Sequence, residues 1–142
     1  MSTMTSSECR EFLSANPHTA KLATVRQDGR PHVVPVWFEL DGDDIVFTTG
    51  DRAVKATNIR RDPRVCICVD DEEPPFTFVQ IEGRAETSTN REDLKYWATR
   101  IAGRYMGADQ AEAYGRRNSG SGELLVRVKP VKITGEKDIA GW

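Results

Sequence analysis

The chain has 142 residues, 38% of them hydrophobic and 30% charged, which is enough for one hydrophobic core and too little for two, so a single domain over 1–142 is expected. Twenty basic and 22 acidic side chains leave a net charge of −2, so no overall field draws the protein to nucleic acid or anionic lipid. No apolar run is long enough to span a bilayer, Met1 to Ser7 lacks the features of a secretory signal, and Cys9, Cys66 and Cys68 cannot form a disulfide framework, so a cytoplasmic protein is expected.

Ser7 to Asn16 carries Cys9, Phe12 and Leu13 at helical spacing, with Ser6 or Ser7 as the candidate cap and Pro17 as the stop. Thr19 to Gln27 and Pro31 to Leu40 are β-rich runs joined around Asp28-Gly29, a strong hairpin signal. In the second run both alternating sets are largely apolar, Val34, Val36, Phe38 and Leu40 against Val33, Pro35 and Trp37, so both faces ask for cover. Pro35 has no N–H for a ladder, which places it at an edge, at a bulge, or against a neighbour that is not a strand, such as a ligand. Asp41-Gly42 then turns the chain into a strand over Asp44 to Thr49 that stops at Gly50. Asp51 reads as the cap of a helix over Arg52 to Arg61, which Asp62-Pro63 ends.

Arg64 to Asp70 and Thr77 to Thr87 are the next strands, separated by the acidic, proline-containing loop Asp71 to Pro75. Cys66 and Cys68 share one face of the first of these, where they read as small apolar core residues. A metal needs more ligands than this pair with His18 and His32, and none is assigned. Asn90 to about Arg117 is helical, with Leu94, Trp97, Ile101 and Tyr105 periodic and Gly103 and Gly107 marking a break into two pieces. Asn118 to Gly122 is a flexible loop, and Leu124 to Ile133, interrupted by Pro130, supplies the last strand or two. The expected class is mainly β, an antiparallel barrel with inserted helices.

The sharpest local feature is Thr48 to Asn58, where a strand ends at glycine and a helix opens with cationic and hydroxyl groups. Helix N-termini leave N–H groups without partners and carry partial positive charge, so a phosphate fits there. Arg52 and Lys55, three apart on the expected helix, are placed to grip it, and Thr48 and Thr49 to add hydroxyls. The same residues also read as a solvated helix face behind a capping aspartate. His32 has no acidic or nucleophilic neighbour in sequence and reads as structural, Trp37, Trp97 and Trp142 read as packing residues, and no catalytic side chain is assigned.

Three segments taken together carry a resemblance: AKLATVRQDGRPHVVPVWF from Ala20 to Phe38, KATNIRRDPRV from Lys55 to Val65, and IEGRA from Ile81 to Ala85. Over roughly Phe12 to Gly135 the chain resembles the pyridoxamine 5′-phosphate oxidase-like split β-barrel superfamily, and within it the actinobacterial flavin/deazaflavin oxidoreductase B branch. The resemblance implies a homodimer of six-stranded antiparallel split barrels of the FMN-binding type, with two cofactors in grooves between the subunits. It places Val33, Val34, Pro35, Val36 and Trp37 along the isoalloxazine-like ring and Thr48, Thr49, Arg52, Lys55 and Asn58 around the phosphate. Asp70 and the stretch Phe78 to Gln80 are placed to reach across from the partner subunit.

The substrate-binding Arg-x-His of the pyridoxamine oxidase itself is missing, since Gly135 to Trp142 holds neither residue type and Arg30-Pro-His32 sits at the first hairpin. The activity this implies is hydride transfer from reduced coenzyme F420 to a conjugated or electron-poor small molecule, with Arg60, Arg61 and Arg64 near the coenzyme's acidic tail. The same scaffold also accommodates an FMN-dependent oxidase or reductase, or a carrier of cofactor, tetrapyrrole or fatty acid without turnover.

Overall fold

Thr5 starts the first helix. In the computed structural model, which describes residues 1–141, a two-residue strand β1 (Ser2–Thr3) precedes helix α1 (Ser6–Ala15). The Thr5 hydroxyl accepts from the Glu8 N–H and the Glu8 carboxylate accepts from the Thr5 N–H, both at 3.1 Å. This reciprocal capping box displaces the cap from Ser6 or Ser7, because only Thr5 has a glutamate three residues on to return the bond. Trp142, expected to pack, lies outside the described residues.

Strands β2 (Ala20–Val25) and β3 (Pro31–Val36) form the expected hairpin, closed by Arg26 N–H to Arg30 O at 3.0 Å and helped by Gly29 at φ 89°. The run expected to continue to Leu40 breaks at Trp37 and Phe38. Phe38 turns fully into the core, its N–H donates to the Tyr105 hydroxyl (3.1 Å) and its carbonyl accepts from Arg104 (2.8 Å). With its backbone bonds taken by side chains, the chain leaves the ladder, and β4 (Glu39–Asp41) pairs instead with β5 (Asp44–Gly50).

Helix α2 (Val54–Arg61) begins later than expected, with Ala53 at the cap and no side-chain capping bond. Asp51 is held elsewhere: its N–H donates to the Gly122 carbonyl at 2.8 Å. Strands β6 (Arg64–Asp71) and β7 (Thr77–Ser88) follow, then α3 (Arg91–Met106), α4 (Ala111–Arg117) and β8 (Glu123–Lys137). Helix α3 passes through Gly103 and ends only at Gly107, whose φ of 96° favours glycine. Pro130 does not split β8, because Glu82 pairs with Lys132 while Gly83 pairs with Pro130, and the resulting bulge leaves Val131 unpaired.

Among the described residues the strands form one antiparallel sheet in the order β3-β2-β6-β7-β8-β5-β4, with β1 added on β8. Six longer strands, β2, β3, β5, β6, β7 and β8, make the expected set, and β1 and β4 are short additions. β3 lies at one end of the sheet, so Pro35 meets the edge condition read from its missing N–H. Leu22 and Val36 near one end of the sheet share a single buried cluster with Ile45 and Phe47 near the other. One core touched by both ends means that the sheet curls around it as a barrel.

Val65, Ile67 and Val69 point into that core, so Cys66 and Cys68 share the opposite, outward face. The core-packing reading of that pair is corrected: only Cys9 of the three cysteines is buried. A second cluster, Val46, Leu94, Trp97, Ile101 and Leu125, packs α3 onto the outer side of β5 and β8. Arg104 ties the end of α3 to the rest, donating to the carbonyls of Phe38, Leu13 and Asn16 at 2.7–2.8 Å.

Candidate functional site

A pocket of about 410 Å³ opens where the end of β3, the second half of β5, α2, α3 and the start of β8 converge. One end is apolar. Pro35, Val36 and Trp37 form a wall, and Ala98 and Ile101 of α3 form the base. The Trp37 indole is stacked on Tyr105, centroids 5.1 Å apart and planes 4° from parallel. Tyr105 is itself fixed, its hydroxyl accepting from Phe38 N–H and donating to the His18 carbonyl at 2.8 Å. Burial raises its phenol above the ordinary tyrosine value, opposed by the Phe38 bond and Arg104.

The other end is polar, formed by Thr48, Thr49 and Gly50 at the end of β5, Lys55 of α2, and Asn118 and Glu123 beside β8. Gly50 pairs with Glu123 across the sheet, which carries the carboxylate to the mouth of α2. Burial pushes the Lys55 ammonium below its ordinary value, and the Glu123 carboxylate partly restores it. Burial and Asp51 push the Glu123 carboxyl up, with Lys55 opposing. Both charged forms are therefore strained by desolvation. A half-buried ammonium beside two threonines, with no hydrogen bond among the described residues contributing to its balance, suits an arriving anion such as a phosphate. The apolar wall and the cationic end together fit a planar cofactor with a phosphorylated tail.

A family profile described as pyridoxamine 5′-phosphate oxidase matches residues 5–135. The chain belongs to this family. A pyridoxine/pyridoxamine 5′-phosphate oxidase of Myxococcus xanthus (strain DK1622) is 30% identical over 100 residues, covering 70% of this chain and 48% of that protein. The chain thus spans about half the length of the curated relatives it matches. Among solved structures, the conserved hypothetical protein Rv2991 from Mycobacterium tuberculosis superposes with a TM-score of 0.83 at 26% identity, covering 96% of this chain and 88% of that one. A protein described as F420 reductase superposes with a TM-score of 0.72 at 27% identity, covering 87% and 94%.

Of the residues that the resemblance assigned to a cofactor, this pyridoxamine 5′-phosphate oxidase family member brings Pro35, Val36, Trp37, Thr48, Thr49 and Lys55 together in one pocket. Arg52 lies in the exposed turn ahead of α2, so it shares no helical face with Lys55. Asn58 is 3% exposed and donates to the Thr24 hydroxyl at 3.0 Å, pinning α2 to β2 from inside. Val34 sits on the core side opposite Leu22. Val33 is 63% exposed on the outer face. Asp70 and Phe78 are cross-strand partners, and Asp70 is ion-paired with Lys21 at 2.7 Å. Asp70 and Lys21 line a neighbouring hollow that shares Thr19 with the first.

Glu123, Asn118, Ala98, Ile101 and Thr19 line the site without having been singled out in the sequence. Ile101 was legible on the apolar face of the long helix with Leu94, Trp97 and Tyr105, but not what that face covers, and Ala98 was not read at all. No local signal identified Glu123, because it reaches Lys55 through pairing of strands 73 residues apart in register, Gly50 to Glu123.

Proposed function

We propose that this member of the pyridoxamine 5′-phosphate oxidase family is an oxidoreductase that binds coenzyme F420 and reduces a conjugated or electron-poor small molecule. The observation that carries the reading is the pocket with a fixed aromatic wall at one end and a half-buried, carboxylate-flanked lysine at the other. In this reading Lys55, with Thr48 and Thr49, holds the phosphate, and Pro35, Val36 and Trp37 lie along the ring. When bound, the reduced coenzyme supplies the hydride, so the chain's own residues bind, orient and exclude water. The structural neighbour described as F420 reductase supports this choice of cofactor.

The protein acts as a homodimer in this proposal, with the cofactor at the seam. Val33, Asp70 and Phe78 lie on the outer face of the sheet and do not line the first pocket, so in this proposal a second copy is the means by which they meet a cofactor. The same outer face carries Val131, 74% exposed, beside a hollow of about 510 Å³ lined by Ala23 and Cys66. Burying such apolar area drives association.

The identity to a pyridoxine/pyridoxamine 5′-phosphate oxidase favours one second reading, an FMN-dependent oxidase or reductase on the same scaffold. An absorbance titration with each cofactor separates the two. Micromolar binding of F420, lost in Lys55→Ala, supports the first, and a yellow protein carrying stoichiometric FMN replaces it with the second. Tight binding without reduction across a panel of enones, nitro compounds, quinones and tetrapyrroles assigns a carrier role instead.

A further inference from the structure

We infer that a face of α2 distinct from that of Lys55, together with the β2–β3 hairpin, forms a second anion site for a small ligand carrying two or more carboxylate or phosphate groups. Residues 54, 57, 58 and 61 follow helical spacing along one face of α2, and they line a hollow of about 440 Å³ against Arg26, Asp28 and Arg30 of the hairpin. Lys55 is not among them and lines the first pocket instead. The two sites therefore flank a single helix, and the second stands whichever cofactor the first accepts.

Three guanidinium groups converge on this hollow. The tight turn brings Arg26 and Arg30 together through the bond from Arg26 N–H to Arg30 O, and Arg61 reaches over from the last turn of α2 to donate to the Val25 carbonyl. Among the described residues Asp28 is the single carboxylate lining it, and it is already committed to Arg30, accepting from its Nε at 2.8 Å and from its backbone N–H at 3.1 Å. Those two bonds hold the Asp28 carboxyl below its usual value. Three cations against one carboxylate leave an excess of two positive charges around one concavity.

Arg26 is the least satisfied of the three: its Nε is buried and has no hydrogen-bond partner among the described residues. Three guanidinium groups lining one concavity repel one another, and that penalty falls when a polyanion docks. The guanidinium fork matches carboxylate and phosphate oxygens equally, so ligand chemistry is stated at that level. The Thr57 side chain on the same face is exposed and adds a hydroxyl donor.

The test is isothermal titration of the full chain at low ionic strength with pyrophosphate and with triglutamate, using sodium chloride of matched ionic strength as the control. At least one probe is expected to bind saturably, with affinity reduced more than tenfold in Arg26→Gln/Arg61→Gln and unchanged in Lys55→Ala. Response to pyrophosphate alone assigns a phosphate ligand, and response to triglutamate alone assigns a carboxylate ligand. If circular dichroism shows the double variant misfolded, Arg30→Gln, an exposed position, is expected to lower affinity severalfold in its place. Absence of binding above the chloride control, or binding lost in Lys55→Ala, overturns the proposal.

Discussion

The indole of Trp37 lies face to face with the ring of Tyr105, 5.1 Å between centroids and 4° from parallel. This contact joins the break after β3 to the last turns of α3, so the orientation of a pocket wall depends on a helix more than sixty residues away. The stack removes rotamer freedom that Trp37 would otherwise lose on binding a ligand, which is the physical content of pre-organisation.

Tyr105→Phe and Tyr105→Leu separate the two roles of this residue. The phenylalanine keeps the stack and strands two backbone groups, so it is expected to cost about 1–2 kcal/mol in denaturant melts with ligand affinity unchanged. The leucine removes the stack and is expected to weaken cofactor binding severalfold, with altered Trp37 fluorescence. Because the folded phenol titrates above the unfolded one, the stability it contributes is complete below the ordinary tyrosine value and is lost as pH rises through the raised one. Alkaline melts should show this loss in the wild type and not in Tyr105→Phe.

Lys55→Ala is expected to weaken anion-dependent cofactor binding by about tenfold or more, in line with roughly 1.5–3 kcal/mol for a charge-assisted hydrogen bond. Arg52→Ala is expected to change it little, since Arg52 is exposed and outside the pocket. Equal losses in the two variants, read by absorbance titration, would put the phosphate in the turn before α2 and not in the pocket.

Glu123→Gln is expected to tighten the same binding by roughly threefold to tenfold near neutral pH, because it removes a negative charge facing the anion. The raised Glu123 carboxyl also sets a pH dependence. Its contribution to stability is present below the usual carboxylate value and is lost as pH rises through the folded one. Anion affinity in the wild type should fall over that same rise, and the glutamine variant should flatten the profile.

Arg104→Ala leaves three carbonyls and Glu39 without their cation. A loss of about 3 kcal/mol is expected in chemical denaturation. A change below 1 kcal/mol, read the same way, would mean that water replaces the guanidinium without penalty.

Gly115→Ala tests how closely α4 must approach α3. A Cβ there would collide with the Thr99 hydroxyl and lie 2.8 Å from Thr99 Cα. Overpacking of this kind costs about 1–3 kcal/mol. Because Ala98, Ile101 and Asn118 line the pocket on either side of this contact, the variant should also weaken ligand binding. Unchanged melting temperature and affinity would show that the two helices can part freely.

Local patterns determined much of this protein. The Asp28-Gly29 hairpin, the strand ending at Gly50 and the long helix through Leu94, Trp97 and Ile101 were all readable, because each rests on interactions between residues close in the chain. The missing N–H of Pro35 pointed to an edge, a bulge or a neighbour other than a strand, and β3 lies at the edge of the sheet. The combination of segments from Ala20 to Ala85 was enough to suggest a family that the profile match over residues 5–135 then established.

What tertiary structure alone decided were the outcomes of competition between local preference and distant partners. Tyr105 and Arg104 take the backbone bonds of Phe38 and break a run that by itself reads as one strand. The Asn58 amide donates to Thr24 of β2, and Glu123 is delivered to Lys55 by pairing with Gly50. Periodicity states which face of an element is apolar or charged; only the closed barrel determines what stands opposite it.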